Sequence, residues 1–425
     1  MRSALGRRGR YHSVALLCAV VALNSFGMGA ISPVLPLFLE REYGVSATEV
    51  GIAVGFFFGL GRLVTSVPAG YLAQRYGRRP VLALGSAINL VGAALVSVSF
   101  SYAWLTGWRF VSGFGGSIFL TVATSYLRDE ATPETRGRLL SLQELSILAG
   151  QTLGPLLGGY LASLYGLRVP LYVQAILMAA SLVVIIVALP ESRWREQLAA
   201  EGATRRRATP RAQASQGADP GAPPEPTNRR DAIRRLIFNP AFMLVGIFAL
   251  MIVANRQGAR FSVMPLFGRQ KGFGPDHLGL WISVTHFPQF FTTLASGYLS
   301  DRFGRKVPIL PAIILMTLGI AAFIWAGNLW QLMLSGVLLG MGEGLGSPAG
   351  TVFFADIAPP GLEGITIGLL RTFGGIGTVM GALVLGAIAD VTSFSWSLWI
   401  DAAVLAASGI GLLIFVRETH RRRPG

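Results

Sequence analysis

The sequence predicts an all-α polytopic membrane protein in which twelve transmembrane helices form two pseudo-symmetric six-helix bundles. Hydrophobic residues make up 52% of the 425 residues and charged residues only 13%, about half the charged share of a typical soluble domain. Apolar runs of about eighteen or more residues recur along the chain, which is the length a membrane-crossing helix requires. Sequence features of the first half also return 227 residues later. We therefore expect lipid to surround most of the chain.

The apolar runs give twelve candidate spans, numbered 1 to 12 in chain order. About 20 helical residues cross a hydrocarbon layer of roughly 30 Å. The predicted spans cover residues 13–39, 47–72, 80–99, 104–128, 138–164, 168–189, 240–266, 277–300, 307–326, 330–356, 365–390 and 395–416. The first run follows a basic N-terminus but continues to Leu39 without a small-residue cleavage site. We therefore expect an uncleaved first helix.

The positive charge is concentrated on one side of the predicted membrane. The formal net charge is +15, and most of the 36 Lys and Arg residues lie at the termini, in the turns near 73–79, 128–138 and 301–306, and in 190–236. The opposite turns contain Arg41, Arg168, Arg269 and Lys271. The positive-inside rule predicts cytoplasmic termini. We expect this charge to contact anionic lipid and not nucleic acid.

The composition changes sharply between the two predicted bundles. Residues 191–238 contain the run RRRATPRAQASQGADPGAPPEP, which has too few apolar residues to build a core. We predict a disordered cytoplasmic linker there, or alternatively a regulatory or partner-binding segment. The expected domains are a cytoplasmic N-terminus (1–12), a first bundle (13–190), the linker (191–238), a second bundle (239–416) and a C-terminal tail (417–425). The lone Cys18 is expected to be a small packed side chain.

The 227-residue offset relates many positions in the two halves. Matching glycines and aspartates include the pairs 70 and 297, 77 and 304, 129 and 356, 137 and 364, 150 and 377, and 154 and 381. A constant offset over this length indicates an internal structural repeat and not merely shared composition. Two repeats of six spans run parallel, related by an axis along the membrane normal. Such a pair is typical of transporters that rock one half against the other around a central site.

Several motifs resemble those of the major facilitator superfamily, and the resemblance covers the chain apart from the linker and the termini. GYLAQRYGRRP (70–80) and GYLSDRFGRKVP (297–308) resemble the signature loop of the family, G-x-L-[AS]-[DN]-R-x-G-R-[KR]. The second copy matches fully, whereas the first has Gln74 at the acidic position. The loop residues are Gly70, Gln74, Arg75, Gly77 and Arg78, and Gly297, Asp301, Arg302, Gly304, Arg305 and Lys306.

Three further segments support the resemblance. Arg109, Gly113 and Gly115 in span 4 resemble the R-x-x-x-G-x-G motif, and NSFGMGAISPVLPLF (24–38) resembles the first helix of drug:proton antiporters in this superfamily. AGQTLGPLLGGY (149–160) resembles the antiporter motif of helix 5, G-x-x-x-G-P-x-x-G-G. The matching residues are Gly150, Gly154, Pro155, Gly158 and Gly159.

The resemblance implies that the two signature loops act as gates. In the family the acid of the second loop binds the start of helix 5, and the acid of the first loop binds the start of helix 11, which helps to close the cytoplasmic side. A carboxylate suits these positions because it accepts hydrogen bonds from the free N–H groups of a helix start and is favoured by the helix dipole. Gln74 brings no charge, so we expect a weaker closure in the first half. The alternative is a basic turn that only sets the topology.

The span 5 glycines at i, i+4 and i+8 share one helix face, where a partner backbone can approach closely. Pro155 adds a kink that neighbouring helices must accommodate. The functional interpretation is a seam between the two halves that limits leakage during antiport. The alternative interpretation is ordinary packing of small residues.

Ionisable residues inside the spans are costly in lipid and therefore point to function. Glu343 lies in the middle of span 10, and Arg256 and Arg260 lie one turn apart on one face of span 7. Because helices 1, 4, 7 and 10 line the cavity in this superfamily, Glu343 and Arg256 are expected to meet there. Glu343 is the first candidate for proton binding. The alternative is a static ion pair that fixes the two helices.

Other polar residues are weaker candidates for the cavity and the gates. Glu144 in span 5 and Arg371 in span 11 occupy equivalent positions, and they either form an inner gate or reach carbonyl or lipid groups. His286 could titrate near neutral pH or be satisfied by a neighbour. Span 1 offers Asn24 but no buried acid, unlike many multidrug antiporters, which argues against broad recognition of cations. The remaining charged positions are Arg62, Arg109 and, near the outer end of span 12, Asp401.

Together these features predict a secondary active transporter that works by alternating access, without cofactor or metal, in a bacterial inner membrane. The expected activity is proton-coupled efflux of a small amphipathic compound by a monomer, with the proton gradient as the energy source. Alternatives are a proton symporter or uniporter for a metabolite, a lipid-handling relative, or a non-transporting sensor. The sequence has no G-x-x-x-x-G-K-[ST] phosphate loop and only four His residues, which argues against an enzyme.

Overall fold

The computed structural model describes residues 2–132, 135–192, 234, 236–357, 363–416 and 418. In this part of the chain the structure is helical. Its helices fall into twelve groups, which follow one another in the order of the predicted spans and are given the same numbers. Most of the predicted linker and of the C-terminal tail lies outside the described residues.

The first half contains spans 1 to 6. Span 1 consists of helices Arg2–Ile31 and Val34–Tyr43. Span 2 combines Ala47–Gly51, a π-helical segment Ile52–Phe56 and Phe57–Tyr76. Spans 3 to 6 are Arg78–Ser97, Tyr102–Glu130, Arg136–Tyr165 and Val169–Val187.

The second half repeats this arrangement in spans 7 to 12. Span 7 combines Pro240–Ala254, a π-helical segment Asn255–Val263 and Met264–Gln270. Spans 8 to 12 are Pro275–Phe303, Ile309–Trp325, Leu329–Ile357, Glu363–Val391 and Phe394–Phe415.

The number of helical segments is consistent with twelve membrane crossings. By length and composition, eight helices of the described chain are long and apolar enough to cross a membrane, and Ile309–Trp325 is a shorter apolar helix. Spans 5, 8 and 10 have 30, 29 and 29 residues, which is ample length for a crossing at 1.5 Å per residue.

Several predicted boundaries differ from the structure. The first helix begins at Arg2 and not at residue 13, since arginine is a good helix former and prolongs the helix beyond its apolar part. Leu236, which the prediction assigned to the linker, is buried in the core of the second half. Burial of its apolar side chain accounts for this difference.

The two glycine-rich gating segments are mostly helical and not loops, which corrects the sequence interpretation. Gly70, Gln74 and Arg75 lie in span 2, and their counterparts at 297, 301 and 302 lie in span 8. The chain leaves the helix only at Gly77 (φ 109°) and Gly304 (φ 120°). A residue with a Cβ atom is strained at such φ values. Glycine is therefore well suited to the position at which each helix ends.

The hydrophobic core has one cluster in each half and a third that joins them. The joining cluster contains Phe38, Val50 and Leu105 from the first half together with Leu266 and Ala389 from the second. These residues lie at the end of the bundle opposite the Gly77 and Gly304 turns. We call the end with these two turns the basic end, and the other the opposite end.

Candidate functional site

Two adjoining cavities lie between the halves and form the candidate transport site. The central cavity has a volume of about 230 Å³, and the cavity towards the basic end has a volume of about 410 Å³. Arg62 of span 2, and Arg256 and Gln257 of span 7, line both. We treat the two cavities as one continuous path from the basic end to the centre of the bundle.

The opposite end of the path is closed by contacts between the halves. Asp390 at the end of span 11 accepts hydrogen bonds from the backbone N–H groups of Ala47 (2.9 Å) and Thr48 (2.8 Å) at the start of span 2. Arg269 and Glu40 form an ion pair of 2.9 Å beside them. A carboxylate at a helix N-terminus is favoured by the helix dipole. These contacts join the halves at the opposite end, whereas the larger cavity extends towards the basic end.

The π-helical part of span 7 brings four polar residues close together, and two of them, Arg256 and Gln257, line both cavities. It contains Asn255, Arg256, Gln257 and Arg260 within nine residues. Its backbone is packed against span 11, where the carbonyl carbon of Gly381 lies 2.5 Å from a Cβ position built on Gly258. A π-helical turn shifts the direction of the following side chains, and such turns are frequent at functional sites.

Glu343 is held by two arginines of this segment. Its Oε2 accepts a hydrogen bond from Arg260 Nη1 at 2.6 Å and its Oε1 from Arg256 Nη1 at 3.2 Å. The side chains of Glu343 and Arg260 are each 1% exposed, whereas that of Arg256 is 38% exposed. The expected meeting of Glu343 and Arg256 is thus present, with Arg260 as a second partner. Glu343 as the proton-binding group stays a prediction.

Two further polar contacts surround this ion pair. His286 lines the central cavity, is buried, and its Nδ1 lies 3.0 Å from Gln289 Oε1. Asp401 is buried two turns into span 12 and accepts a hydrogen bond of 2.6 Å from Asn255 Nδ2. Asp401 therefore contacts the middle of span 7, deeper than its predicted place near the outer end of span 12.

Arg109 and Arg62 approach the same aromatic ring in the first half. The Arg109 guanidinium carbon lies 4.4 Å and that of Arg62 5.8 Å from the centre of the Phe58 ring. Both arginines line the central cavity with Phe58. The ring face attracts cations, and this stabilises guanidinium groups that have lost water.

Asn24 does not belong to the cavity wall, which corrects its assignment as a cavity candidate. Its Oδ1 accepts a weak 3.4 Å hydrogen bond from Asn89 Nδ2, and Asn89 Oδ1 accepts one of 2.8 Å from Ser112. The three residues connect spans 1, 3 and 4 inside the first bundle. Sequence alone cannot distinguish this helix face from the cavity face.

Glu144 and Arg371 both line the cavity towards the basic end. Both are exposed, and no ion pair joins them among the described side chains. Their position suits an inner gate that is open in this conformation, and that role stays a prediction.

The gating segments contact their own halves. Arg305 bridges Asp301 (2.6 Å) and Asp356 (2.7 Å) of the second half. Burial alone would lower the pKa of the Arg305 guanidinium, but these two carboxylates raise it above its ordinary value. A Cβ on Gly70 or Gly297 would meet open space. Among the described residues, Asp301 is thus paired with Arg305 of its own half, and its side chain is largely exposed.

The two halves form equivalent hydrogen bonds at positions related by the internal repeat. Arg78 Nε donates to Asp129 at 2.8 Å, as Arg305 Nε does to Asp356. Glu191 accepts from the backbone N–H groups of Arg78 (2.8 Å) and Arg79 (3.1 Å). Glu418 accepts in the same way from the N–H groups of residues 305 and 306, both at 3.0 Å. Glu191 thereby caps the start of span 3, whereas Glu418 binds the turn that precedes span 9.

The span 5 glycines pack against two different helices. Gly150, Gly154 and Gly158 pack on span 1 of the same half, where a Cβ on Gly150 would lie 2.6 Å from Phe26 N. Gly159 instead faces span 8 of the other half, 3.0 Å from Gly279 Cα by the same measure. The predicted seam between the halves is therefore formed by Gly159 and its neighbours, and not by the i, i+4, i+8 face. Pro155 lies inside the same helix, and its carbonyl oxygen would collide with a Cβ on Gly279.

Some important residues were missed by the sequence analysis. Glu191 and Glu418 are separated by the repeat offset of 227 and could have been found from it. Asn255 stands beside Arg256 in an apolar run, a signal similar to the one that identified Arg256. Asp390 carries no such signal, because only the closed contact between spans 2 and 11 gives it a partner.

The chain is similar to known membrane transporters in both sequence and fold. The family profile of the Major Facilitator Superfamily matches residues 17–275 and 257–425. The class H tetracycline resistance protein of Pasteurella multocida is 22% identical, covering 97% of both chains. The quinolone resistance protein NorA of Staphylococcus aureus (strain COL) is 21% identical, covering 95% of this chain and 96% of NorA. A crystal structure of a D-xylose–proton symporter has a TM-score of 0.71 at 18% identity, over 96% of this chain and 98% of that one.

The family profile spans both six-helix halves, and the fold agrees with a solved structure of a transporter. The predicted resemblance is confirmed: this chain belongs to the Major Facilitator Superfamily and is a membrane transporter.

Proposed function

We propose that this transporter works by alternating access and exports a small amphipathic compound in exchange for protons. The observation that carries the proposal is the position of Glu343. Its carboxylate is buried, yet it is connected through Arg256 to a cavity that is closed at the opposite end and accessible from the basic end. The names of two relatives, a tetracycline and a quinolone resistance protein, support efflux.

Glu343 is proposed as the proton-binding group. A proton on Glu343 removes the charge that holds Arg256 and Arg260, so the contact between spans 7 and 10 differs between the two protonation states. A ligand can shift a conformational equilibrium only by interacting differently with the two states, and this ion pair offers such a difference. One charge moving through 100 mV supplies about 2.3 kcal/mol, enough for roughly a 50-fold gradient of the exported compound.

The proposed location is a bacterial inner membrane, with the basic end and both termini in the cytoplasm. The support is the arginine-rich set of turns at this end, which the positive-inside rule places inside. The described conformation would then be open to the cytoplasm and ready to accept a compound for export. The proposed partners are the exported compound, protons and membrane lipids, and we propose a monomer.

Everted membrane vesicles with an acidic lumen test the proposal. A panel of amphipathic compounds is added outside, and a fluorescent reporter follows the lumen pH for wild type, Glu343→Gln and the control Glu42→Gln. Glu42 lies at the opposite end, exposed and paired with Arg168 at 3.2 Å. We expect at least one compound to raise the lumen pH with wild type and the control but not with Glu343→Gln. A rise of the same size with Glu343→Gln would reject Glu343 as the coupling group.

Proton symport is a second candidate, favoured by the contact between Arg256 and Glu343. Protonation of Glu343 frees Arg256 for an anionic group, so a proton and an anion would bind together. The same vesicles separate the two mechanisms by sign. A compound that enters by antiport raises the lumen pH, whereas one that enters by symport lowers it.

A further inference from the structure

We propose that the transported compound is an amphipathic organic anion, whose acidic group is bound by Arg62, Arg109 and Arg256 in the central cavity. The proposal rests on the transport function proposed above and adds the chemical class of the substrate. It holds for both directions of proton coupling, because each requires recognition of the substrate itself.

The described lining of the central cavity is positively charged. Three guanidinium groups line it, from spans 2, 4 and 7, and among the described lining residues no Asp or Glu is present. The nearby carboxylate of Glu343 is 1% exposed and also neutralises Arg260. An acidic group of a ligand in this cavity would therefore lie beside three guanidinium groups and no carboxylate of the described lining, an arrangement that favours an anion electrostatically.

Arg109 has an unused hydrogen-bond donor within the described structure. It is 4% exposed, and within the described structure its Nε has no hydrogen-bond partner. Its Nη2 reaches Val54 O only at 3.5 Å, the limit of a hydrogen bond. Buried polar groups without partners are rare in folded proteins. A planar guanidinium suits bidentate binding of a carboxylate, sulfonate or phosphate group.

The described lining of the cavity also includes apolar side chains, next to neutral polar ones such as Ser32 and Gln151. Met28, Ile31 and Leu35 of span 1 face it together with Val54 and Phe261. Ligand cavities of a few hundred cubic ångströms hold small organic molecules and combine an apolar lining with a few polar groups. The combination of an apolar wall and three arginines fits a compound with an apolar body and one acidic group.

An amphipathic cation is the main competing class. It would need an exposed acid, and Glu144, which lines the cavity towards the basic end, is the one acidic residue among the described lining residues of both cavities. A cation at the centre would meet Arg62 and Arg256 without a free carboxylate. Like charges at a binding site reduce affinity and exclude the wrong ligand.

A series of probes that differ only in charge tests the proposal. The full chain in lipid nanodiscs is titrated with 2-naphthalenesulfonate, 2-naphthalenemethanol and 2-naphthylmethylammonium, and binding to empty nanodiscs is subtracted. We expect the sulfonate to bind about tenfold or more tightly than either other probe, the effect of one or two charge-assisted hydrogen bonds. Equal or tighter binding of the alcohol or the ammonium compound overturns the proposal, as does the absence of saturable sulfonate binding.

Variants locate the bound charge. We expect Arg62→Gln and Arg109→Gln each to weaken sulfonate binding about tenfold, and Arg62→Lys, which keeps the charge, to retain most of it. Arg168→Gln is the control, because Arg168 is half-exposed at the opposite end. Unchanged binding by a folded Arg62→Gln variant overturns the assignment, and the probe series on wild type remains decisive where Arg109→Gln does not fold.

The experiment separates this proposal from the proposed function. Sulfonate binding without proton flux in vesicles would retain the substrate class and reject proton coupling. Proton flux driven only by cationic compounds would retain the transport function and reject the anion site.

Discussion

Asp390 and Thr48 connect the two halves of the transporter at the opposite end, with Asp390 Oδ2 only 2.8 Å from the backbone nitrogen of Thr48. The Thr48 hydroxyl donates to the same oxygen at 2.5 Å, and the second oxygen accepts from Ala47. The two residues are separated by 342 positions. The contact therefore exists only in conformations in which spans 2 and 11 meet.

The first prediction concerns Asp390→Asn. The amide keeps one acceptor but loses the charge that the start of span 2 stabilises, which contributes about 0.3–1 kcal/mol. We expect a roughly two- to five-fold larger population open at the opposite end. The measurement is the labelling rate of Gln151→Cys, in the central cavity, by an impermeant maleimide added from that side, in a Cys18→Ser background.

The matched control for this experiment is Glu49→Gln. Glu49 lies near Asp390 but accepts a hydrogen bond from Ser46 of its own half. In the Glu49→Gln variant, the cysteine at position 151 should react with the maleimide at the same rate as in the parent protein. Equal labelling of the Asp390 variant and the parent would contradict the assigned role of Asp390 in closing this end.

The second prediction concerns the two arginines of Glu343. Arg260 is fully enclosed and Arg256 is partly exposed, so Arg260→Gln leaves a buried carboxylate with only its outer partner. Removing one partner of a buried ion pair costs about 3–5 kcal/mol. We expect a much lower thermal unfolding midpoint for Arg260→Gln than for Arg256→Gln, measured by intrinsic fluorescence in detergent.

The double variant Glu343→Gln/Arg260→Gln completes the comparison. Because it removes both buried charges, we expect it to recover most of the stability lost in Arg260→Gln. A loss in the double variant equal to the sum of the losses in Glu343→Gln and Arg260→Gln would mean that the two side chains do not depend on each other.

The third prediction separates the two glycine contacts of span 5. A Cβ on Gly158 would collide with the Ala30 backbone of the same half, whereas one on Gly159 would collide with Pro275 of span 8. We expect Gly158→Ala to lower the unfolding midpoint, and Gly159→Ala to raise maleimide labelling of the cavity from the opposite end. Gly70→Ala is the control, since its Cβ would meet open space.

The reversed pattern of effects would contradict the assignment of Gly158 to packing within the half and of Gly159 to the contact between the halves. If Gly159→Ala changed only the stability, and Gly158→Ala changed only the labelling, the assignment of the two glycine faces would be reversed. A loss of stability in Gly70→Ala, where the added Cβ meets open space, would show that the stability losses do not report on packing at the glycine.

The fourth prediction uses the internal repeat. Glu191 accepts the backbone N–H groups of the first two residues of span 3, and Glu418 accepts those of residues 305 and 306 in the turn before span 9. Loss of a helix cap costs on the order of 1 kcal/mol. We expect Glu191→Gln and Glu418→Gln to lower the free energy of unfolding by similar amounts, measured by denaturant titration. A loss confined to one variant would show that the repeat is structural at only one of the two positions.

The sequence was sufficient for the fold class because the signals for membrane helices are local. Long apolar runs, the arginine-rich turns and the 227-residue repeat can each be found without knowing which helices touch. The same applies to Glu343 and the span 7 arginines, since a charge within an apolar run is visible in the sequence and costly in the membrane.

Contacts between distant spans were decided only by the tertiary structure. The sequence could not show that Asn24 faces span 3, that the glycines at 150, 154 and 158 face span 1, or that Asp390 caps span 2. Each depends on how a helix is rotated and which end of the bundle is closed, and a helix of small and apolar residues has several similar faces. The sequence by itself predicted the apolar spans, the internal repeat and the charges within the spans, because each of these can be identified without knowing which helices touch. Which charges meet, and which end of the path is open, depended on packing between elements 83 or more residues apart, as for Arg260 and Glu343.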